Sequence, residues 1–227
     1  SLHHTPSSQS ALHEGWHAHV AIAAEAQTAV AAIPHGVEAT VLRDARCVGT
    51  TSRHLSRDES SQRPLHEGWH AHVAVAAEAG VTLALHPDDP PLPEPMAGAA
   101  RIVSTLEQYE RIYALNPSPN NAMLFCQGCV TEMGIDVCEA IRRMGGQDKI
   151  CYVHFRNVRG TPKDFREVFI DEGDVDMFRA MQTYKEVGFA GPFMMDHTPA
   201  IPDDRDQRQG HAYATGYIRA MIQAIYR

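Results

Sequence analysis

A chain of 227 residues is long enough for one medium domain or two small ones, and its 44% apolar and 21% charged content is ordinary for a globular protein. A formal charge of −8 leaves no electrostatic footprint for nucleic acid, and no apolar run approaches the roughly 18 residues needed to cross a bilayer. With no signal peptide in view and five cysteines, an odd number, the expectation is a cytoplasmic protein with reduced thiols instead of a disulfide framework.

The chain opens with Ser1, which raises the expectation that it is a piece of something longer. Ten of its 14 histidines stand at or before His72, so the two ends differ in kind. Residues 12–26 and 65–79 are near copies, "LHEGWHAHVAVAAEA" in the second, with Ile22 in the first replaced by Val75. Each copy spells His-Glu-x-x-His: His13, Glu14 and His17, then His66, Glu67 and His70. Between them, residues 27–64 show no sustained periodicity, and "TTSRHLSRDESSQRP" reads as exposed loop or disorder. Residues 1–64 are therefore expected to be an irregular or partly disordered arm carrying a duplicated helix segment.

From Leu65 onward, short apolar runs alternate with amphipathic stretches, the pattern of βα units on a parallel sheet. The runs are "VTLAL" at Val81, "AMLF" at Ala122, "KICYVHF" at Lys149 and "PFMM" at Pro192. The helix "HVAVAAEAG" precedes the first and stops at Gly80. "RIVSTLEQYERIYAL" from Arg101 places Ile102, Leu106, Tyr109 and Tyr113 on one helical face. "GIDVCEAIRRMGG" ends on a glycine pair suited to a C-cap, and "GDVDMFRAMQTYKEVGF" starts from Asp174 as N-cap and stops at Gly188. A last helix runs from about His211 to Tyr226.

At the carboxyl end of each run stands a metal-capable side chain: His86, then Cys126, then His154, then Asp196 with His197. In a parallel β/α barrel these ends converge on one face, so four strands far apart in sequence are expected to meet at one site. Two imidazoles, a thiolate and a carboxylate form a coherent ligand set for a divalent transition metal. Taken singly, each has a plainer reading. His86 before Pro87 suits a loop, His154 a core, Asp196 a cap, and Cys126 with Cys129 a redox pair or half a zinc knuckle.

"LALHPDDPP", "FCQGCVTEMG", "YVHFRNVRG", "FIDEGDVDM" and "MMDHTP", in this order, resemble the C-terminal half of the mannonate dehydratase family, over about residues 65–227. The opening "SLHHTP" is similar to that family's first strand. The resemblance implies an α/β fold, a partial xylose-isomerase-like TIM barrel of about four C-terminal βα units in residues 65–227. It further implies dehydration of the sugar acid D-mannonate to 2-keto-3-deoxy-D-gluconate with Mn²⁺ or Fe²⁺, in hexuronate catabolism. It assigns His86, Cys126, His154 and Asp196 as metal ligands, with Arg156 and His197 beside them.

The chemistry fits those residue types. Proton loss next to a carboxylate loads charge onto oxygen and calls for a Lewis acid, departure of the C3 hydroxyl calls for a proton donor, and His197 is expected to take acid or base duty. Arg156, two residues beyond His154, lies on the same strand face and is expected to grip the substrate carboxylate. Asp88, Asp89 and Asn157 are expected to orient the site or touch substrate. A half barrel leaves two open sheet edges, which favours self-association into a homo-oligomer. The competing readings are a sugar isomerase on the same scaffold, an inactive fragment, and a zinc protease. The last needs the repeat to be a stable helix, which Gly15 and Gly68 oppose, and a third ligand that no zincin-like spacing supplies.

Overall fold

The structure, a computed structural model, describes residues 37–41, 47–52, 62–95 and 101–227, with residues 37–41, 47–52, 62–68 and 71 described by backbone alone. The first copy of the duplicated segment and the opening "SLHHTP" lie outside the described residues.

Two strands, β1 (Val37–Val41) and β2 (Cys47–Ser52), form an antiparallel pair in the stretch expected to be irregular. After helix α1 (Gln62–Glu78), β3 (Thr82–Leu85) pairs parallel with β2, so the parallel sheet begins earlier in the chain than its hydrophobic pattern suggests. Helix α2 (Leu106–Leu115) leads to β4 (Asn121–Cys126), which runs directly into the short helix α3 (Gln127–Glu132) and then α4 (Val137–Gly145). Next come β5 (Ile150–His154), the hairpin of β6 (Val158–Thr161) and β7 (Asp164–Glu167), helix α5 (Met177–Glu186), β8 (Phe193–Met194) and helix α6 (Arg208–Ile225). The main sheet has the order β1-β2-β3-β4-β5-β8, with every neighbour after β1 parallel. Sequential parallel strands joined by helices make this a partial β/α barrel.

The helices begin where side chains can satisfy their first free N–H groups. Thr105 and Gln108 form a reciprocal capping box, so α2 starts at Leu106 and not near Arg101. Asp176, not Asp174, caps α5 by accepting from Arg179 N. At the other end of α5, Gly188 takes φ +77°, which closes the helix before β8. Helix α1 extends back through Gly68, and Trp69 Nε1 donates to Asn121 Oδ1 at 2.9 Å, tying this helix to β4.

Side chains alternate across the sheet. Met123, Phe125, Val153 and Phe155 face the helices and join one core with Tyr109, Ile141, Met181 and Tyr184. Within it Phe155, Tyr184 and Phe193 meet edge to face at centroid separations of 5.3 to 6.1 Å. Ala84, Leu124 and Tyr152 face the other way, with Met194 packed against them. The β4–β5 ladder carries one irregularity: Met123 pairs with Ile150 but Leu124 with Tyr152, so β5 advances two residues for one of β4. Among the described residues no helix is long and apolar enough to cross a membrane. Cys126, Cys129 and Cys138 are free and buried, whereas Cys151 is disulfide-bonded, against the expectation of reduced thiols throughout.

Candidate metal centre

The barrel-facing residues set the site by a period of two. Two residues beyond Ala84, Leu124, Tyr152 and Met194 stand His86, Cys126, His154 and Asp196, so each strand carries its donor on the same face at its carboxyl end. The parallel register places Cys126 opposite His154 and His154 opposite Met194. His86, Cys126 and His154 are all buried, and their donor atoms lie within 4.8 Å of one another. The imidazole rings of His86 and His154 sit 5.1 Å apart. Asp196 reaches the group from β8: its Oδ2 is 3.2 Å from His154 Nδ1 and 3.9 Å from Cys126 Sγ. Asp196 holds φ +64°, a left-handed conformation tolerated by aspartate at a cost, and one that turns its carboxylate over the strand ends.

The electrostatics suit a cation. Burial alone would push the Cys126 thiol up, but Cys129, the Arg156 guanidinium and the two imidazoles together hold it well below the usual thiol value. His154 shows the converse: burial opposes its charged form, yet Asp196 and Cys126 push it up to about 9. Its Nδ1 is buried and lacks an aligned hydrogen bond despite the nearby Asp196 oxygen. A buried nitrogen left without a bond, facing a thiol and a carboxylate, is a donor arrangement that fits a divalent transition metal.

Arg156 sits at the centre of a second, charged layer. Its side chain is fully buried, with Nε 3.3 Å from Cys126 Sγ and 3.1 Å from Asp196 Oδ2. Nη2 lies 2.9 Å from Asp89 Oδ2, 3.4 Å from Cys129 Sγ and 3.6 Å from Glu132 Oε1, while Nη1 donates to Glu167. Asp89, Cys129 and Glu132 also cluster within 4.8 Å of one another, but the guanidinium already provides the positive charge among them. Gly128 allows this packing, since a Cβ there would stand 2.6 Å from Arg156 Nε. Burial pushes Glu132 up to about 8 against the pull of Arg156, so it is mostly neutral at pH 7.

The sequence-derived site residues divide into two groups. His86, Cys126, His154, Asp196, Arg156 and His197 come together. Asp88 and Asn157, expected to contact substrate, do not turn their polar groups to the site. Asp88 Oδ2 accepts from the backbone N–H of Ile102 and Val103 at 2.7 and 2.8 Å, which pins that loop. Asn157 donates to Ile170 O and Val175 O and accepts from Val175 N, pinning the loop before α5. Arg156 does reach the site, but its guanidinium is directed at protein acids and thiols and not outward for a substrate carboxylate. Sequence reasoning missed Glu132 and Glu167. Gly128 inside the Cys-x-x-Cys stretch was the one local sign that a bulky group packs there. The side chains of His66 and Glu67 lie outside the described residues, and His70 is not among the described groups that could jointly hold an ion.

Parallel strands delivering buried imidazole, thiol and carboxylate groups to one mouth define a β/α-barrel protein with a candidate metal centre. The comparisons with known proteins narrow that class. The D-mannonate dehydratase (UxuA) family model matches residues 27–226, and the chain belongs to that family. It is 37% identical over 162 residues to mannonate dehydratase 2 of Halalkalibacterium halodurans, covering 67% of this chain and 46% of that protein. It is 34% identical over 166 residues to a mannonate dehydratase of Oceanobacillus iheyensis, covering 67% of this chain and 45% of the relative. The chain thus spans about half the length of the curated relatives it matches. The crystal structure of mannonate dehydratase from Streptococcus suis serotype 2 superposes with a TM-score of 0.65 at 27% identity, over 74% of this chain and 51% of that one. A xylose isomerase domain protein from Alicyclobacillus acidocaldarius matches at TM-score 0.63 and 16% identity, over 81% and 66% of the two chains, a likeness of fold alone.

Proposed function

We propose that the chain carries the metal-binding part of a D-mannonate dehydratase site, in which the sugar acid loses water to give 2-keto-3-deoxy-D-gluconate. The observation that carries this reading is the convergence of the His86, Cys126 and His154 donor atoms within 4.8 Å, with Asp196 beside them. We assign those four residues as ligands of Mn²⁺ or Fe²⁺, ions that accept mixed nitrogen, sulfur and oxygen donors. A divalent cation bound there supplies Lewis-acid stabilisation for the charge that builds up as the proton next to the substrate carboxylate leaves.

The chain's own residues supply a proton donor and support for the ligands. His197 stands half exposed at the mouth, and the neighbouring Glu167 carboxylate raises its pKa above the usual imidazole value. That pairing favours the protonated ring, which suits His197 as donor to the departing C3 hydroxyl. Arg156 keeps Cys126 and Asp196 in place from beneath and steadies their negative charge. The setting is cytoplasmic hexuronate catabolism, and the edge strands β1 and β8 offer surfaces for self-association.

The test is metal binding and turnover by the purified chain. About one equivalent of Mn²⁺ should bind, and D-mannonate should yield a 2-keto-3-deoxy acid in a reaction that chelator stops. His154→Ala should weaken Mn²⁺ binding by about 100-fold or more, while His70→Ala leaves it unchanged. The reverse pattern would move the metal to the His-Glu-x-x-His repeat and reject the assignment.

A further inference from the structure

The β6–β7 hairpin begins at Val158, with three residues between it and the end of β5, and returns one carboxylate, Glu167, to the strand ends. Glu167 Oε1 lies 3.0 Å from His197 Nδ1 and also accepts from Arg156 Nη1. The Glu167 side chain is 25% exposed and the His197 side chain 53%, so a largely covered group anchors an open ring. The far end of the anchor is firm as well, because Arg156 is held by Asp89, Cys126, Cys129 and Asp196. With Nδ1 taken, Nε2 is the ring nitrogen left for a reacting group; it stands 3.7 Å from Asp196 Oδ1, beside the candidate metal centre. A half turn of the ring would set a carbon against Glu167 and lose the bond. Glu167 Oε2, meanwhile, is buried with no hydrogen-bond partner among the described residues. Such a buried acceptor costs stability, and the geometry gained at Oε1 is what that cost obtains.

We propose that Glu167 is a positioning residue: it fixes the ring of His197 with Nδ1 on the carboxylate and Nε2 facing substrate, and links that ring through Arg156 to Cys126 and Asp196. This deepens the dehydratase reading and rests on it for the role of His197 as proton donor. The carboxylate–imidazole pair is the arrangement by which a neighbouring acid selects which ring nitrogen does the chemistry.

Proton NMR of the purified chain tests it without substrate. A slowly exchanging downfield Nδ1 proton, assigned to His197 by its loss in His197→Gln, is expected. Glu167→Ala should abolish that resonance and keep Mn²⁺ affinity within about threefold, while kcat on D-mannonate falls about 10- to 100-fold with little change in KM. Glu167→Gln, which keeps an acceptor oxygen but not its charge, should retain the resonance at higher field and recover part of kcat. The proposal is overturned if the resonance survives unchanged in Glu167→Ala, or, should that variant not fold, if it stays in place in Glu167→Gln. Loss of Mn²⁺ binding in both variants also overturns it, by assigning Glu167 to the ligand set. Failure of the parent chain to dehydrate D-mannonate would instead count against the proposed reaction, and the resonance would still decide what Glu167 does.

Discussion

The two faces of the same strands are both closed to water, yet they are built on opposite plans. On the helix side Met123, Phe125, Val153 and Phe155 are fully buried among other apolar groups. On the barrel side Cys126, His154, Arg156 and Glu132 are just as deep, and there both oxygens of Glu132 and the Nδ1 of His154 lack hydrogen-bond partners. One face gains free energy with every side chain it covers, about 1.5–3 kcal/mol each. The other holds charges that are stable only as a set. The difference shows a division of labour: the helix side is apolar, whereas the inner face turns from the apolar Ala84, Leu124 and Tyr152 to ionisable groups at the strand ends.

Three substitutions test that division. Phe155→Ala removes a ring shared by Tyr184 and Phe193 and is expected to lower stability in urea by about 3–5 kcal/mol. A loss under about 1 kcal/mol would mean the aromatic cluster is not where the sheet is held. Arg156→Met keeps bulk but strips the shared cation from Asp89, Glu132, Glu167 and Asp196, and a loss of about 3 kcal/mol is expected in the same denaturation experiment. An unchanged or raised stability would show that these acids tolerate each other unaided.

The smallest effect belongs to Glu132→Gln, isosteric with the protonated acid, which should change stability by less than about 1 kcal/mol at pH 7. Its signature lies in the pH dependence. Because the fold raises the Glu132 pKa from 4.5 to about 8, the folded state binds the extra proton. The parent's stability should therefore decline as pH rises through this window, and the variant's decline should be shallower. Equal slopes would place the ionisable group elsewhere.

Much of this was legible in the chain itself. Apolar runs ending in His86, Cys126, His154 and Asp196 announce both the strands and the direction in which their ends point, because parallel connection and a period of two leave little freedom. The β6–β7 hairpin was not legible. Its strands read "VRGT" and "DFRE", with mostly half-covered or exposed residues and no apolar alternation to detect. The early strands β1 and β2 were missed because "VEATV" and "CVGTTS" are short and stand beside a long polar stretch, and β2 is held between β1 and β3. The start of α2 moved by five residues and the cap of α5 by two, because the capping side chains, Thr105 and Asp176, have rivals of the same type nearby. For Asp88, Asn157 and Arg156 the partners of the polar groups were not legible, because they are loop backbone groups and acids set apart in sequence.

The irregular step between Met123 and Leu124 has a consequence for the ion. Carried on evenly from Met123 opposite Ile150, the ladder would set Cys126 level with Val153, leaving His154 one rise higher, about 3.3 Å along the strand. The extra residue in β5 cancels that offset and brings sulfur and imidazole to the same height. Coordination distance in this scaffold is thus adjusted by a vernier within the sheet, and altering metal preference by changing loops alone would leave that adjustment untouched.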